Sequence, residues 1–243
     1  MRVYRGRADT IEADRAVTDR LVERVGEERD PAVRVWRPHR LVAFGRRDAR
    51  LDGYDRAREA ACERGFPPVE RDVGGRAVAY TGSTVAFVRA TPVDGTRGGL
   101  TERYDAAVAD LRRALAELGV DASEGEPPES FCPGTHSLQA DCRGRRRKLA
   151  GLAQRVRSRV AVVAGVLVVR DRDEVAAVTA AVYEALGVPF DPDTAGSVAL
   201  AGGEEGPDRA VRAVERALAG ETVTAERVGG SAGAPDGAGG PET

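Results

Sequence analysis

The sequence predicts an α+β fold: a single domain over residues 1–228 with a mixed, largely antiparallel β-sheet flanked by helices, followed by a disordered tail at 229–243. Three observations carry the prediction. Several long segments repeat apolar residues at helical spacing. Two apolar runs, KLAGLAQRVR and VAVVAGVLVV, flank Arg157-Ser158-Arg159 as a hairpin of two long strands would, the second apolar enough for a sheet interior. Short extended runs punctuated by Gly and Pro lie between the helices, and strands mixed with flanking helices favour an α+β arrangement.

In order along the chain, TIEADRAVTDRLVERV (10–25) places Val17, Leu21, Val22 and Val25 on one stripe, with Thr10 as the capping residue. VRVW (33–36) and LVAFG (41–45) read as extended pieces separated by a turn at Pro38. DGYDRAREAACER (52–64) is helical in character, stops at Gly65, and carries Cys62 on its apolar side as a small core residue. The stretch from Pro67 to Pro92 reads as strand, glycine loop, strand, turn at Thr81-Gly82-Ser83, strand. Residues 101–118 set Tyr104, Ala107, Val108, Leu111, Leu115 and Leu118 on one face, the most regular helix signal in the chain. DASEGEPPESFCPGTHS (121–137) lacks periodicity and predicts an exposed loop, and Cys142 falls in a turn. After the 157–159 hairpin come helices near 172–186 and 207–219, then the Gly/Ala/Pro-rich tail.

Whole-chain properties exclude several function classes. A net charge of −2, with 31% charged residues of both signs, argues against nucleic acid as the main partner. No apolar run approaches the roughly 20 residues of a membrane span, and the N-terminus lacks the apolar segment of a secretory signal, so a cytoplasmic protein with no membrane partner is expected. Three scattered cysteines read as reduced thiols.

Of the 37 Lys and Arg residues only Lys148 is a lysine. Arginine is a wide planar fork, whereas lysine is a compact ammonium on a flexible stem that reaches into a narrow pocket as a point charge. Drift in an arginine-rich sequence is the alternative reading. On its strand, alternation groups Lys148, Ala150, Leu152 and Gln154 on one face and Leu149, Gly151 and Ala153 on the other. In Arg71-Asp-Val-Gly-Gly-Arg76, adjacent glycines let a backbone approach an anion or carbonyl between two arginines; a bulged hairpin with solvated arginines fits as well. Cys132 becomes a nucleophile if a nearby cation favours its thiolate, with Lys148 or an arginine as that cation. His136 lies four residues on, where a loop histidine is more often solvated than paired with a thiol. The run Arg143, Arg145, Arg146, Arg147 reads as a solvated patch or a hold on a phosphate-bearing ligand. No P-loop, dinucleotide fingerprint or zinc spacing is present, and no metal site is predicted.

In chain order, WRPHRLVAFGRRD (36–48), VERDVGGRAVAY (69–80) and GRRRKLAGLAQR (144–155) resemble three segments of the lipoate-protein ligase and octanoyltransferase family (the BPL/LPL catalytic domain of the biotin/lipoate attachment superfamily). These are its early strand pair, its Arg-x-x-Gly-Gly-Arg-Ala-Val motif and its Gly-x-Lys-x-x-Gly-x-Ala-Gln motif. ESFCPGTHSL (129–138) resembles the cysteine loop of the octanoyltransferase branch. Tyr80-Thr81 stand where the family usually shows His-Asp, and Ala164-Gly165-Val166 where it often shows His-Gly-Thr. The resemblance implies a fold like that of class II aminoacyl-tRNA synthetases and biotin synthetases. It also implies an enzyme that attaches a lipoyl or octanoyl group to a lysine of lipoyl domains in 2-oxoacid dehydrogenase complexes or of the glycine-cleavage H protein.

By the same resemblance Lys148 and Cys132 are catalytic, Lys148 binding the carbonyl and phosphate oxygens of an activated acyl group and Cys132 acting as an acyl-thioester carrier. Arg71, Gly74, Gly75, Arg76, Ala77, Tyr80, Gly151, Ala153 and Gln154 bind substrate. The acyl donor is an octanoyl thioester, for instance on acyl carrier protein, or lipoate. An ATP- and magnesium-dependent lipoate ligase acting through a lipoyl-adenylate, with a separate accessory chain, is the second reading. An acyl-binding protein without turnover on the same fold is the third.

Overall fold

The computed structural model describes residues 1–71, 75–95, 99–157 and 159–228. Within them the chain runs β1 (Arg2–Arg5), α1 (Ile11–Glu28), β2 (Ala32–Trp36), β3 (Leu41–Phe44), α2 (Tyr54–Glu63), β4 (Pro68–Glu70), β5 (Val78–Tyr80), β6 (Val85–Pro92), α3 (Leu100–Glu117), β7 (Ala122–Glu124), β8 (Ser137–Asp141), β9 (Arg146–Arg157), β10 (Val160–Leu167), α4 (Arg172–Leu186), α5 (Pro207–Ala219) and β11 (Thr224–Arg227). Gly74, Ser158 and the tail at 229–243 lie outside the described residues.

Local chemistry sets the helix limits. Thr10 Oγ1 accepts from Ala13 N at 3.1 Å and caps α1, whose Val17, Leu21 and Val25 are buried on the anticipated stripe. The last two helices coincide with the 172–186 and 207–219 stretches, and α4 ends where Gly187 takes φ +66°.

The strands form an eight-stranded sheet of order β11-β1-β2-β6-β10-β9-β8-β7 and a three-stranded sheet of order β4-β3-β5. In the larger sheet every pairing from β2 to β7 is antiparallel, while β1 pairs in parallel with β2 and β11. Helices α3 and α5 cover one face, with Leu111, Leu115 and Val214 against Val33, Val35 and Phe87. On the opposite face Leu21 and Val25 of α1 pack on Ala32, Val88 and Val162. Helices α2 and α4 cover the small sheet around Phe44, Phe66 and Tyr183. A further cluster joins the two sheets: Val78 of β5, Val166 of β10, Val175 of α4 and the loop residue Phe131.

Four expectations change. VRVW and LVAFG do not pair with each other; β2 enters the large sheet and β3 the small one, with the irregular segment 37–40 carrying the chain between them. Cys62 is exposed, since Ala57 and Ala61 form the buried stripe of α2 and position 62 turns away from it. The 121–137 stretch is not simply an exposed loop. It contains β7 and buries Pro127, Ser130 and Phe131, and a fully buried phenylalanine contributes about 1.5–3 kcal/mol toward holding the segment down. The alternation along β9 fails beside Lys148. Ala150 pairs with Leu138 and Lys148 with Gln139, so Leu149 is the extra residue of a β-bulge.

Candidate active site

The bulge decides what Lys148 faces. Leu149 and Ala150 both enter the large core, and Lys148 is thrown onto the side of Gly151, where a Cβ at position 151 would lie 3.4 Å from Lys148 Cε. Lys148 is 0% exposed. Its three ammonium hydrogens have three acceptors: Glu126 Oε2 at 2.7 Å, Phe131 O at 2.8 Å and Cys132 O at 2.8 Å. Burial lowers its pKa from the ordinary lysine value despite the opposing pull of Cys132 and Glu126.

Cys132 stands in the left-handed region at φ 43°. Its carbonyl is held by Lys148, and its N–H donates to Tyr183 Oη at 2.7 Å, whose own hydrogen goes to Ala77 O at 3.1 Å. Burial pushes the Tyr183 phenol above its usual range. Arg71 Nη2 donates to Cys132 Sγ at 3.2 Å and to Arg76 O at 2.5 Å, while Arg71 Nε is buried with no partner among the described residues. Burial works against the Arg71 charge, yet Cys132 and Tyr80 outweigh it and its pKa lies above the ordinary arginine value.

Gly75 makes this approach possible. It has φ +100°, and a Cβ there would lie 2.6 Å from both Arg71 Nη2 and Cys132 Sγ. Gly45 backs it up, since a Cβ at 45 would lie 1.9 Å from Gly75 O. The Arg76 guanidinium turns to the fully buried Asp48 at 3.2 Å, whose other oxygen accepts from Gly45 N at 2.9 Å.

Sγ borders a cleft of about 430 Å3 between the two sheets and the start of α1. Val88, Ala153 and Ala164 line it from the large sheet, and Leu41, Ala43 and Val78 from the small one. Asp14 and Thr18 of α1 add polar groups to these apolar walls, so the cleft combines apolar surface with polar anchors as small-molecule sites do.

The structure thus brings Cys132, Arg71, Gly75, Tyr80 and Gly151 together around one cleft, whereas Lys148, expected to reach into a pocket, is buried behind the carbonyls of Phe131 and Cys132 and does not line it. Ala77 is buried behind it and serves through its carbonyl. Gln154 touches the cleft, but its amide is satisfied when it donates to Leu100 O (3.3 Å) and accepts from Arg103 Nε (2.7 Å) of α3. His136 stacks on Tyr104 with ring centroids 3.7 Å apart, so its ring is engaged with α3. Arg145, Arg147 and Arg172 gather around Asp193.

Three residues of the site went unnoticed in the sequence: Glu126, Asp48 and Tyr183. Only Tyr183 carried a signal, as a phenol on an otherwise aliphatic helix stripe, where a buried hydroxyl demands a partner.

The family model for the lipoyl protein ligase A/B catalytic domain matches residues 11–185. The chain belongs to this family. An octanoyl-[GcvH]:protein N-octanoyltransferase of Exiguobacterium sibiricum is 35% identical over 150 residues, covering 60% of this chain and 52% of the relative. Its counterpart in Geobacillus kaustophilus is 31% identical over 149 residues, covering 60% and 51%. The match therefore spans about half the length of these curated relatives. Among solved structures, lipoate-protein ligase A bound with ATP superposes with a TM-score of 0.70 at 18% identity, over 93% of this chain and 88% of that one. A bipartite lipoate protein ligase of Thermoplasma acidophilum gives 0.57 at 14% identity, over 95% and 87%. Both likenesses concern the fold. The family motifs sit where the cleft is: the glycine segment and the lysine strand of this lipoyl protein ligase A/B domain form facing walls.

Among the described residues no helix is long and apolar enough to cross a membrane, and no three His, Cys, Asp or Glu side chains are grouped to hold a metal.

Proposed function

We propose that this chain transfers an octanoyl or lipoyl group to a lysine of a lipoyl-bearing domain, with the glycine-cleavage H protein as the first acceptor to test and Cys132 as the carrier. One observation carries the reading: a thiol that borders a cleft with apolar residues of both sheets in its walls, contacted by the Arg71 guanidinium at 3.2 Å, its backbone carbonyl held by the only lysine of the chain. The relatives named as octanoyl-[GcvH]:protein N-octanoyltransferases support the acyl group and the acceptor.

The chemistry follows from this placement. Cys132 sulfur attacks the carbonyl carbon of an acyl thioester, forming a C–S bond, and the carbonyl oxygen gains negative charge. The Arg71 Nε–H, without a partner among the described residues, is the donor proposed for that oxygen, at the stage where preorganised charge lowers a barrier most. Collapse breaks the bond to the donor sulfur, which leaves with the proton given up by Cys132. The acceptor lysine then attacks as the free amine. An amide bond forms, the bond to Cys132 breaks, and the amine proton ends on the Cys132 sulfur. One difficult transfer becomes two easier ones. Lys148 acts by holding the Cys132 carbonyl and by placing a positive charge beneath the loop, not by reaching the substrate, because all its hydrogens have acceptors.

The alternative, ATP-dependent ligation through an acyl-adenylate, is favoured by the likeness of fold to a ligase bound with ATP. Intact-mass analysis separates the two. The protein is incubated with octanoyl carrier thioester, or with lipoate, ATP and magnesium, before addition of glycine-cleavage H protein or a lipoyl domain from a 2-oxoacid dehydrogenase complex. An octanoyl adduct on the enzyme that vanishes in Cys132→Ser supports transfer. Product that forms only with ATP and survives Cys132→Ser supports ligation. No product with either donor leaves acyl binding without turnover as the function.

A further inference from the structure

Lys148 is costly where it stands. A buried ammonium loses its hydration, and such pairs stabilise a fold no better than well-packed apolar residues do, so a chain that spares lysine everywhere else keeps one here for a specific arrangement. The arrangement converges on Glu126. Its carboxylate accepts from Lys148 Nζ at 2.7 Å and from Ser137 Oγ at 2.6 Å on Oε2, and from Gly134 N at 3.2 Å and 3.1 Å on the two oxygens. Ser137 is 1% exposed and begins β8, and Gly134 lies two residues after Cys132. One side chain therefore ties the lysine to the segment on the far side of the cysteine, while Lys148 itself ties Phe131 and Cys132 on the near side.

We propose that Glu126 is a positioning residue for the Cys132 reaction: by bridging Lys148, Gly134 and Ser137 it closes the cysteine loop onto the ammonium and sets both thiol and charge against the cleft. The proposal deepens the transfer reading above and rests on it for its kinetic consequence. Besides Glu126, the charged and titratable groups that face Lys148 are Cys132, from the same loop, and Arg71, from the segment after β4. Of these only Glu126 brings a full opposing charge within hydrogen-bond distance. Its loss leaves a buried ammonium facing Arg71 and two carbonyls, so the proton on Lys148 is released more readily.

Because Lys148 is the only lysine, protein labelled with 13Cε-lysine gives one side-chain resonance to titrate, in the wild type, Glu126→Gln and Glu126→Asp. The midpoint is expected to fall by about one unit or more in Glu126→Gln, the size of one charge-assisted hydrogen bond, and to return most of the way in Glu126→Asp. The alkaline limb of kcat/KM for acyl transfer is expected to move by the same amount, which a purely structural lesion would not do. Amide exchange at Cys132 and Gly134 is expected to rise about tenfold in Glu126→Gln. An unmoved Lys148 midpoint overturns the proposal, as does a moved midpoint with an unmoved alkaline limb. If the wild type turns over neither octanoyl thioester nor lipoate, the transfer reading fails by itself. The positioning role is then decided by the midpoint and the exchange rates: changes in both uphold it, and no change in either refutes it.

Discussion

Replacing Lys148 by arginine keeps the net charge and changes only its shape, so it isolates the reason for a lysine at this position. Three acceptors surround Nζ at 2.7–2.8 Å, one carboxylate oxygen and two carbonyls of successive residues. A tetrahedral ammonium meets all three from a single atom, but a planar guanidinium aims its hydrogens outward in one plane and leaves at least one acceptor unserved. An unsatisfied buried acceptor costs about 1–3 kcal/mol. The larger head must also fit where Lys148 is 0% exposed and its Cε already approaches the backbone of Gly151, an overpacking cost of about 1–3 kcal/mol. Together these give about 2–6 kcal/mol, and at roughly 2–4 °C per kcal/mol for a chain of this length the melting temperature is expected to fall by about 10 °C. Calorimetry measures the first effect. Intact-mass single-turnover loading of Cys132 measures the second, expected to slow by at least about a hundredfold, since an error of about 1 Å in placing a reacting group has that effect. If Lys148→Arg melts within about 2 °C of the wild type and loads at a similar rate, the argument from ammonium geometry is wrong.

Gly75→Ala places a Cβ 2.6 Å from Cys132 Sγ at a backbone φ of +100°, and is expected to lower stability by about 1–3 kcal/mol and to abolish loading while Cys62 alkylation is unchanged. Tyr183→Phe removes the acceptor of Cys132 N–H and the donor to Ala77 O. A loss of about 1–3 kcal/mol is expected in denaturant titration, with faster amide exchange at Cys132. Burial holds the Lys148 pKa below its ordinary value, so the folded state gives up that proton at lower pH than the unfolded chain does. Where the unfolded state binds more protons, stability rises with pH. The wild type should therefore gain stability relative to Lys148→Met as the pH is raised from neutrality toward about 10, the ordinary lysine range, and denaturant midpoints across that range check the sign.

Much of the molecule was legible because its signals are local. Stripes of apolar residues marked α1, α3, α4 and α5, with a capping threonine at α1 alone, and two long apolar runs marked the β9–β10 hairpin. The strand that carries the solitary lysine and the segment that carries Gly75 both border the cleft, although Lys148 itself does not line it. Strands β1 and β11 escaped notice, since a four-residue strand becomes one only when a neighbour supplies its hydrogen bonds.

What the sequence by itself determined, then, is the kind of chemistry: a cation of a particular shape, a thiol, and glycines that admit a close approach. What tertiary structure decided is which groups share a surface. Strict alternation places Lys148 with Gln154 and away from Gly151, and one bulged residue, dictated by the register against β8, reverses that. Glu126 and Tyr183 belong to the site for the same reason. A loop without periodicity and a helix 51 residues further on meet Cys132 only after two sheets have packed around Phe131. Side-chain direction over a distance is set by register and packing, and neither is a property of a short stretch of chain.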